Sequence, residues 1–519
     1  MADYVIVGAG SAGCVLAESL SARHSVVVLE AGGGKLPLEV SIPAAFSKLF
    51  KTPVDWDLAT EPEPGAAGRS LYLPRGKMVG GSSSMNAMLY MRGRPSDYDA
   101  WEAQGATGWG WEDVLSVFRA MESNSRGEDE FHGSRGPMRV EDLRYISPLS
   151  RRFVDAALAA GIPANSDFNG ARQLGAGFFQ VTQRNGRRWS AADAFLRPAL
   201  RRPTLDLQTD ALVTRLLIDR GRATGVEFIQ DGEQLTVEAE AGVILTAGAF
   251  GSPHTLQISG IGDPTHLSSI GVQPLVESPD VGANLQDHPT VAVIHESTRP
   301  DTLDDAENAV ELIRWLLFRR GKLASPVAEA CAFVKSDGSL PEPDLQFHFG
   351  PVNFDEHGLQ PYEGHAFTFG PVLVNPRSRG SVRARSADPT ETPEIRVNAL
   401  TEQADADALV RGVGIGRDIA SRSPFDDYRG PELKPGGDVR TATEVEAFVR
   451  ENVELLYHPV GTCRMGSDDR AVVGPDLKVN GVDSLWVADA SVMPSVTSGN
   501  TNAPTMMIAS LAAELITAS

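Results

Sequence analysis

Short runs of β-branched residues, separated by glycines, mark the start of the chain. Residues 4–7 read Tyr-Val-Ile-Val and residues 25–29 read Ser-Val-Val-Val-Leu, and buried strands prefer such runs. Apolar residues between them, at 14–20, follow a helical spacing. The pattern predicts a strand, a helix and a second strand in that order.

Alternating apolar and polar positions return after residue 204. The short runs lie at residues 205–209, 213–218, 225–228 and 235–237. Their length and spacing predict a β-meander. Residues 242–249 then form an apolar run that ends in small residues, which predicts a buried strand, and Ser252-Pro253 predicts the start of a helix.

Two other stretches have plainer interpretations. Residues 97–121 have a helical pattern and contain three tryptophans, which predicts helix packed into a core. Arginines accumulate between residues 184 and 202. Contact with phosphate is one interpretation of these arginines, and a surface-exposed connection is the favoured one.

The middle of the chain, residues 290–440, has a different pattern. It combines Pro-rich connections with a predicted helix at 306–318 and predicted strands at 330–334, 345–349, 367–374 and 381–384. Strands separated by long returns favour an antiparallel sheet with helices on one side. This region is predicted to form the body of a second domain.

The end of the chain again resembles its beginning, so the second domain is predicted to be inserted into the first. The overall class is α/β, or α+β when both domains are counted. The predicted boundaries are 1–150, 205–290 and 451–519 for the first domain, and 151–204 and 291–450 for the second.

Composition narrows the classes of protein. A chain of 519 residues exceeds the size at which one core keeps growing, so two domains are expected. Lys and Arg number 47 and Asp and Glu number 68, so the net charge is 47 − 68 = −21, which argues against a nucleic-acid or anionic-membrane surface.

The absence of a visible targeting signal and the positions of the cysteines indicate the cellular compartment. No apolar run is long enough to span a membrane, and the first strand begins too close to Met1 for a signal peptide. The three cysteines are far apart and match neither a disulfide framework nor a zinc site. A cytoplasmic protein without a metal is therefore expected.

The glycine-rich turn after the first strand is a candidate ligand-binding motif. Gly8, Gly10 and Gly13 form G-x-G-x-x-G between a strand and a helix, the context of a dinucleotide site. Glu30 ends the next strand, where an acid can bond ribose hydroxyls and disfavours a 2′-phosphate. FAD and NAD both fit this turn. The predicted cofactor-binding residues here are Gly8, Gly10, Ser11, Ala12, Gly13, Glu30 and Ala31.

A second glycine-rich loop runs from Arg75 to Ala87. Close approach of a backbone to an extended ligand requires glycine, and the Asn86 amide can bond a polar ring edge. A flexible turn is the simpler alternative. The predicted cofactor-binding residues here are Val79, Gly80, Gly81, Ser84, Asn86, Ala87 and Met88.

Two polar anchors lie near the end of the chain, at residues 457–462 and 498–505. Between them, residues 485–491 predict a short buried strand that delivers Asp489 into a turn. Upstream, the block Asn284-Leu285-Gln286-Asp287-His288 contains another histidine. His288 is interpreted as a hydrogen-bonded structural histidine.

These motifs together resemble those of the glucose-methanol-choline (GMC) oxidoreductases, over essentially the whole chain. The resemblance implies FAD, an FAD-binding Rossmann-like domain, and a second domain on a six-stranded antiparallel sheet flanked by helices. It also implies an alcohol dehydrogenase or oxidase of the choline dehydrogenase-like kind, whose partners are a small alcohol and an acceptor such as O₂ or a quinone. Further cofactor contacts predicted from it are Val213, Asp489, Ala490, Asn500 and Thr501.

The resemblance implies that His458 is the catalytic histidine and that Asn500 is its partner. A histidine can accept the hydroxyl proton of an alcohol, and an amide can hold the oxygen while hydride passes to flavin N5. Met85 stands where some relatives tether FAD through histidine, so non-covalent FAD is predicted. Glu329 aligns by local pattern with a glutamate that faces trimethylammonium in choline-oxidising relatives.

Three alternatives share the fold or the cofactor. A hydroxynitrile lyase keeps the flavin without using its redox chemistry, and a fatty-acid photodecarboxylase would need a long apolar tunnel. A flavin-binding protein without enzymatic activity is the third. Neither the alcohol nor the choice between oxidase and dehydrogenase follows from the sequence.

Overall fold

The computed structural model describes residues 2–360 and 362–518. The strands of its two main sheets, in chain order, are β1 Ala2–Val7, β2 Val26–Leu29, β3 Gly175–Phe178, β4 Leu205–Gln208, β5 Leu212–Asp219, β6 Arg222–Gln230, β7 Glu233–Leu245, β8 Pro289–Thr290, β9 Val293–Ser297, β10 Ala330–Val334, β11 Leu345–Gly350, β12 Ala366–Leu373, β13 Arg429–Lys434, β14 Glu454–Leu455 and β15 Leu485–Val487. Short strands outside these sheets are Leu58–Ala59, Tyr72–Leu73, Glu122–Asn124, Met138–Asp142, Gln180–Val181, Gln183–Arg184, Arg187–Arg188, Ile261–Gly262, Val276–Glu277, Ser381–Arg383 and Glu394–Arg396.

The α-helices surround these sheets. In chain order they are α1 Ser11–Leu20, α2 Pro95–Ala103, α3 Trp111–Met121, α4 Pro148–Ala159, α5 Arg197–Ala199, α6 Gly248–Ile258, α7 Pro264–Ser269, α8 Ala309–Phe318, α9 Gln403–Ser421, α10 Ala442–Asn452 and α11 Asn502–Ala518. In residues 2–360 and 362–518, no helix combines the length and apolar character needed to cross a membrane.

The first sheet joins the predicted strand–helix–strand unit to the predicted meander. Its order is β4-β2-β1-β7-β6-β5, with β15 paired to β7. β1 lies parallel to β2 and to the second half of β7, while the first half of β7 is antiparallel to β6. Val5 and Ile6 are fully buried because both faces of this parallel part are covered. The carboxyl ends of β1, β2 and β7 therefore meet at one edge.

The second sheet is antiparallel throughout. Its main path, β13-β9-β12-β11-β10-β3, has six strands, and the two-residue strands β8 and β14 extend it. α4 and α9 pack on it, and Phe347, Phe349 and Phe369 are fully buried between the layers. The predicted six-stranded sheet flanked by helices is confirmed.

Some element boundaries differ from the predictions, for local reasons. The predicted helix at 97–121 is two helices, because Gly105 and Gly108 have φ near +99° and +85° in the connection. α8 begins at Ala309 rather than 306, since the Asn308 side chain accepts the Glu311 N–H as a cap. The predicted strand at 381–384 pairs outside the main sheet, with Glu394–Arg396.

The helix predicted to open at Ser252-Pro253 begins earlier, at Gly248, so Pro253 lies inside α6. A proline there cannot donate to the carbonyl four residues before it, which is that of Ala249. The Thr462 hydroxyl donates to the Ala249 oxygen instead, at 2.7 Å. This bond ties the C-terminal motif at 457–462 to α6.

Candidate active site

The turn between β1 and α1 allows close approach of a ligand to the backbone. Gly8 has φ of +102°, and a Cβ on Gly13 would lie 1.9 Å from the Gly8 carbonyl oxygen. A Cβ on Gly10 would have no neighbour closer than 3.9 Å, because Gly10 borders an open cavity. α1 has no side-chain cap at its start. Its first N–H groups are therefore available to a phosphate.

Glu30 lies beside this turn, at the end of β2. Its carboxylate accepts N–H groups from Ala9 and Gly32, each at 2.8 Å. Burial raises the pKa of Glu30 to about 7, although the two N–H donors act in the opposite direction. The side chain borders the cavity, as an acid that bonds ribose hydroxyls must.

The loop of residues 79–88 packs directly onto the glycine turn. The Gly80 N–H donates to Ala9 O at 2.7 Å, and a Cβ on Gly81 would lie 2.7 Å from Gly10 Cα. Arg188, which the sequence did not single out, reaches this loop and donates to Asn86 Oδ1 at 2.8 Å. The loop is therefore held against the turn on one side and by a buried arginine on the other.

One cavity of about 590 Å³ connects these features with the C-terminal anchors. Of the predicted cofactor-binding and catalytic residues, those that line it are Gly8, Gly10, Ser11, Ala12, Glu30, Ala31, Gly81, Asn86, Ala87, Met88, Val213, His458, Asp489, Ala490, Asn500 and Thr501. Residues from the start, middle and end of the chain thus converge on one site.

Four predicted cofactor contacts do not line the cavity: Gly13, Val79, Gly80 and Ser84. These four residues lie behind the residues that form the cavity wall and pack against them. Gly13 allows α1 to pack on β1, and the Ser84 hydroxyl donates to Val79 O at 2.9 Å. Their role in the structure is to hold the turn and the loop in place.

His458 and Asn500 meet at the cavity wall. Asn500 Nδ2 lies 3.1 Å from His458 Nε2, and His458 Nδ1 lies 2.9 Å from His288 Nδ1. With the Asn500 amide as donor, His458 Nε2 is an acceptor, so its proton is on Nδ1 and points to His288. The accepting nitrogen of His458 thus faces the side of Asn500.

Charge at this site is set by burial. The pKa of His458 is lowered well below its usual value by burial first, and then by His288, His348 and Arg75. Burial also lowers the pKa of His288 to about 3 and that of His348 to about 3. These histidines are therefore neutral near pH 7, and His458 is in the form that accepts a proton.

Asp287 holds the two touching histidines by their backbones. Its Oδ1 accepts the N–H of His288 at 2.7 Å and the N–H of His458 at 2.8 Å. Burial raises the pKa of Asp287 to about 7, and Arg75 opposes this shift. His288 is buried and hydrogen-bonded, as predicted, and its ring partner is His458 itself.

Sequence reasoning missed two side chains of the second sheet. His348 borders the cavity, and the Gln346 amide donates to Asn500 Oδ1 at 3.5 Å. Both lie on β11, where successive side chains point to opposite faces of the sheet, so residues 346 and 348 share one face. Their alternation in the strand was the available signal.

Glu329 does not face the cavity, so its predicted contact with a substrate cation is not supported. The side chain is fully buried. Its carboxylate accepts the Ser147 N–H and the Ser325 hydroxyl, each at 2.7 Å. These donors, at the start of α4 and in the loop that contains Ser325, hold the carboxylate in the protein interior, and Glu329 is not among the residues that line the cavity.

The donors and acceptors along the cavity fit FAD. Uncapped N–H groups of α1 suit a pyrophosphate, and Glu30 suits ribose hydroxyls. Asp489 keeps its own turn rigid, since it accepts Gly248 N–H at 2.8 Å and Ser491 N–H at 2.8 Å. Asn86 and His458 line the same cavity and could contact the flavin ring.

Solved structures share this whole architecture. Pyridoxine 4-oxidase from Mesorbium loti is 33% identical, with a TM-score of 0.91 and 99% of each chain covered. A mutated formate oxidase from Aspergillus oryzae RIB40 is 26% identical, with a TM-score of 0.94, covering 100% of this chain and 98% of that one. The fold and the cavity define an FAD-dependent oxidoreductase.

Sequence comparison gives the family. The N- and C-terminal family models of the GMC oxidoreductases match residues 2–290 and 376–509. The oxygen-dependent choline dehydrogenase of Sinorhizobium fredii is 42% identical, and the alignment covers 99% of this chain and 95% of that protein. An uncharacterized GMC-type oxidoreductase of Mycobacterium bovis is 44% identical, with 99% of each covered. The chain belongs to the GMC oxidoreductases and is an FAD-dependent alcohol oxidoreductase.

Proposed function

We propose that the protein oxidises the CH–OH group of an alcohol to an aldehyde or ketone, with His458 and Asn500 at the reacting carbon. The observation that carries this is the 3.1 Å contact between Asn500 Nδ2 and His458 Nε2 at the wall of the cavity that also borders the β1–α1 turn. When bound, FAD supplies the acceptor for the hydride.

The neutral His458 supplies the base. His458 Nε2 has one lone pair, which the Asn500 N–H occupies in the structure. A substrate hydroxyl that replaces this N–H at Nε2 can give or share its proton there. Asn500 keeps an N–H donor for the oxygen as negative charge develops on it. His288 accepts the Nδ1 proton of His458 and so holds the ring in this tautomer. The pair therefore moves the proton and orients the oxygen.

The second substrate is an electron acceptor, for which we propose O₂ or a quinone-type compound. The relatives named an oxygen-dependent choline dehydrogenase and a pyridoxine 4-oxidase support O₂. Comparing turnover with O₂ alone and with a quinone or dye under nitrogen decides between the two.

A cytoplasmic location stays a prediction.

Anaerobic reduction of the flavin tests the proposed function. We expect at least one compound of an alcohol panel that includes choline and pyridoxine to bleach the flavin absorbance, with the matching aldehyde or ketone as product. The corresponding carboxylic acids are the control and should leave the spectrum unchanged. Turnover of a cyanohydrin without bleaching by any alcohol would favour the lyase instead.

Non-covalent FAD is a separate prediction. Met85, which borders the cavity, has no nucleophilic nitrogen that could bond the flavin. Precipitation of the holoenzyme with acid should therefore leave all yellow colour in the supernatant, as free FAD by chromatography. Flavin absorbance that remained with the washed protein pellet would contradict the prediction.

A further inference from the structure

Large apolar side chains are exposed along α8. Val310 is 65% exposed, Ile313 55%, Leu317 68% and Phe318 66%. Soluble monomers seldom expose large apolar residues in such a contiguous group, and such groups mark contact surfaces. The active site described above does not use them.

The exposure is built into the fold, because α8 is firmly anchored on its other side. Trp315 is fully buried, and its Nε1 donates to Gly186 O at 2.8 Å. Trp315 also packs in a cluster with Leu303, Ala306 and Leu323. A helix fixed in this way presents its apolar residues outward permanently.

Arginines surround the C-terminal end of α8. The hairpin around Gly186 brings them together, since a Cβ on Gly186 would lie 2.3 Å from Arg319 O and 3.1 Å from Arg144 Cδ. The arginines of this group are Arg144, Arg184, Arg187, Arg319 and Arg320. Within the described ranges, 2–360 and 362–518, none of them has a carboxylate within 4.0 Å.

This concentration of unpaired positive charge contrasts with the whole chain, whose net charge is −21. The group includes part of the arginine-rich stretch that the sequence analysis assigned to a surface-exposed connection. Elsewhere on α8 the charges are paired, as between Arg314 and Glu311 at 2.5 Å. Arg144 donates to Asn185 Oδ1, and Arg184 and Arg319 lie over the rings of Trp189 and Trp315. Because no carboxylate of the described residues pairs with the five arginines, their charge suits an external anionic partner, and the apolar residues beside them suit an apolar one.

We propose that α8 and the five arginines form a docking face for an anionic phospholipid membrane. Apolar side chains enter the acyl boundary while arginines bind lipid phosphates, which is how amphipathic interfacial helices bind. A second copy of this chain fits less well, because a two-fold contact through this face would bring the same unpaired arginines together. The docking face lies on the surface and involves no membrane-spanning segment.

The docking face is connected to the active site by short segments. Arg187 belongs to it, and the next residue, Arg188, donates to Asn86 of the cavity wall. Ile42 and Ala45 pack in the same cluster as Trp315, and the next residue, Phe46, lines the cavity. Attachment through α8 would thus place the cavity close to reactants dissolved in the membrane.

Vesicle flotation of the purified FAD-loaded chain tests this. We expect it to float with vesicles of phosphatidylcholine plus phosphatidylglycerol, to float poorly with phosphatidylcholine alone, and to detach as salt is raised. Each arginine near an anionic surface contributes roughly five-fold to binding. The double variant Arg184→Glu/Arg187→Glu should therefore lose at least roughly 25-fold in vesicle affinity.

The apolar half of the face has its own variant, Leu317→Asp/Phe318→Asp, which should abolish flotation. Leu235→Asp and Arg201→Glu change an exposed leucine and an exposed arginine outside the face, and they should float as the parent does. All variants should keep bound FAD and turnover of a water-soluble alcohol, which separates this proposal from the proposed function. The proposal would be overturned if either variant of the docking face floated as the parent does, if the parent did not bind anionic vesicles, or if the parent were a dimer that Leu317→Asp/Phe318→Asp dissociates.

Discussion

Replacing His458 by alanine lowers kcat/KM for alcohol oxidation by about 10²–10⁴-fold, the range that a positioned general base contributes. His458 Nε2 is the accepting nitrogen at the cavity wall, and alanine leaves the hydroxyl proton without an acceptor. FAD should stay bound, since its predicted contacts are made by other segments. Stopped-flow reduction of the flavin by the alcohol measures the loss directly.

Asn500→Ala is the matched control, because it removes the partner at 3.1 Å but keeps the base. We expect this variant to lose less activity than His458→Ala. Flavin reduction at an unchanged rate in His458→Ala would assign the proton to another group. A variant without FAD would show that His458 serves the fold instead.

The pH profile of kcat/KM gives a second measure of the same role. Because burial lowers the pKa of His458 well below its usual value, the base is already neutral at pH 6 and stays active as the pH falls below 6.5. The Asp287→Asn variant is the suitable background, since it lacks the neighbouring carboxyl whose pKa is about 7. An acid limb centred near pH 6.5 in that background would contradict the lowered pKa.

Local patterns predicted much of the nucleotide-binding region, because its signals are steric. Gly8 must have a positive φ and Gly13 has no room for a side chain, so a sequence motif records the geometry directly. Three of the six main strands of the second sheet, β10, β11 and β12, were predicted within one residue, whereas β3, β9 and β13 were not predicted. The domain limits stay a prediction, since the segments where the chain crosses from one sheet to the other have weaker sequence signals.

Contacts between side chains that are distant in the sequence were less predictable. The pairing of His458 with Asn500 came from the family resemblance, and no local pattern showed that His288 would touch the same ring. The predicted contact of Glu329 with a substrate shows the same limit of local patterns. Its local pattern matched a substrate-binding acid, but the direction of a side chain depends on tertiary packing, here the Ser147 and Ser325 donors.

Asp287→Ala is the second change with a large expected effect. Asp287 Oδ1 is the shared acceptor for the backbone N–H groups of His288 and His458, and all three residues are buried. Removing it leaves two buried donors unpaired, at a cost of roughly 1–3 kcal/mol each. We expect a lower unfolding temperature and a kcat reduced by up to about 10²-fold, because His458 is no longer held in position.

Asp287→Asn separates the shared oxygen from the charge, since an amide oxygen can still accept both N–H groups. Native Asp287 holds its proton to about pH 7 and the unfolded chain only to about pH 4. Ionisation therefore weakens the fold as pH rises across that interval. The neutral amide has no such penalty, so the variant should be at least as stable as the parent at pH 7 and should keep its kcat. A loss as large as that of the alanine variant would assign the holding role to the charge opposite Arg75 instead of the shared oxygen.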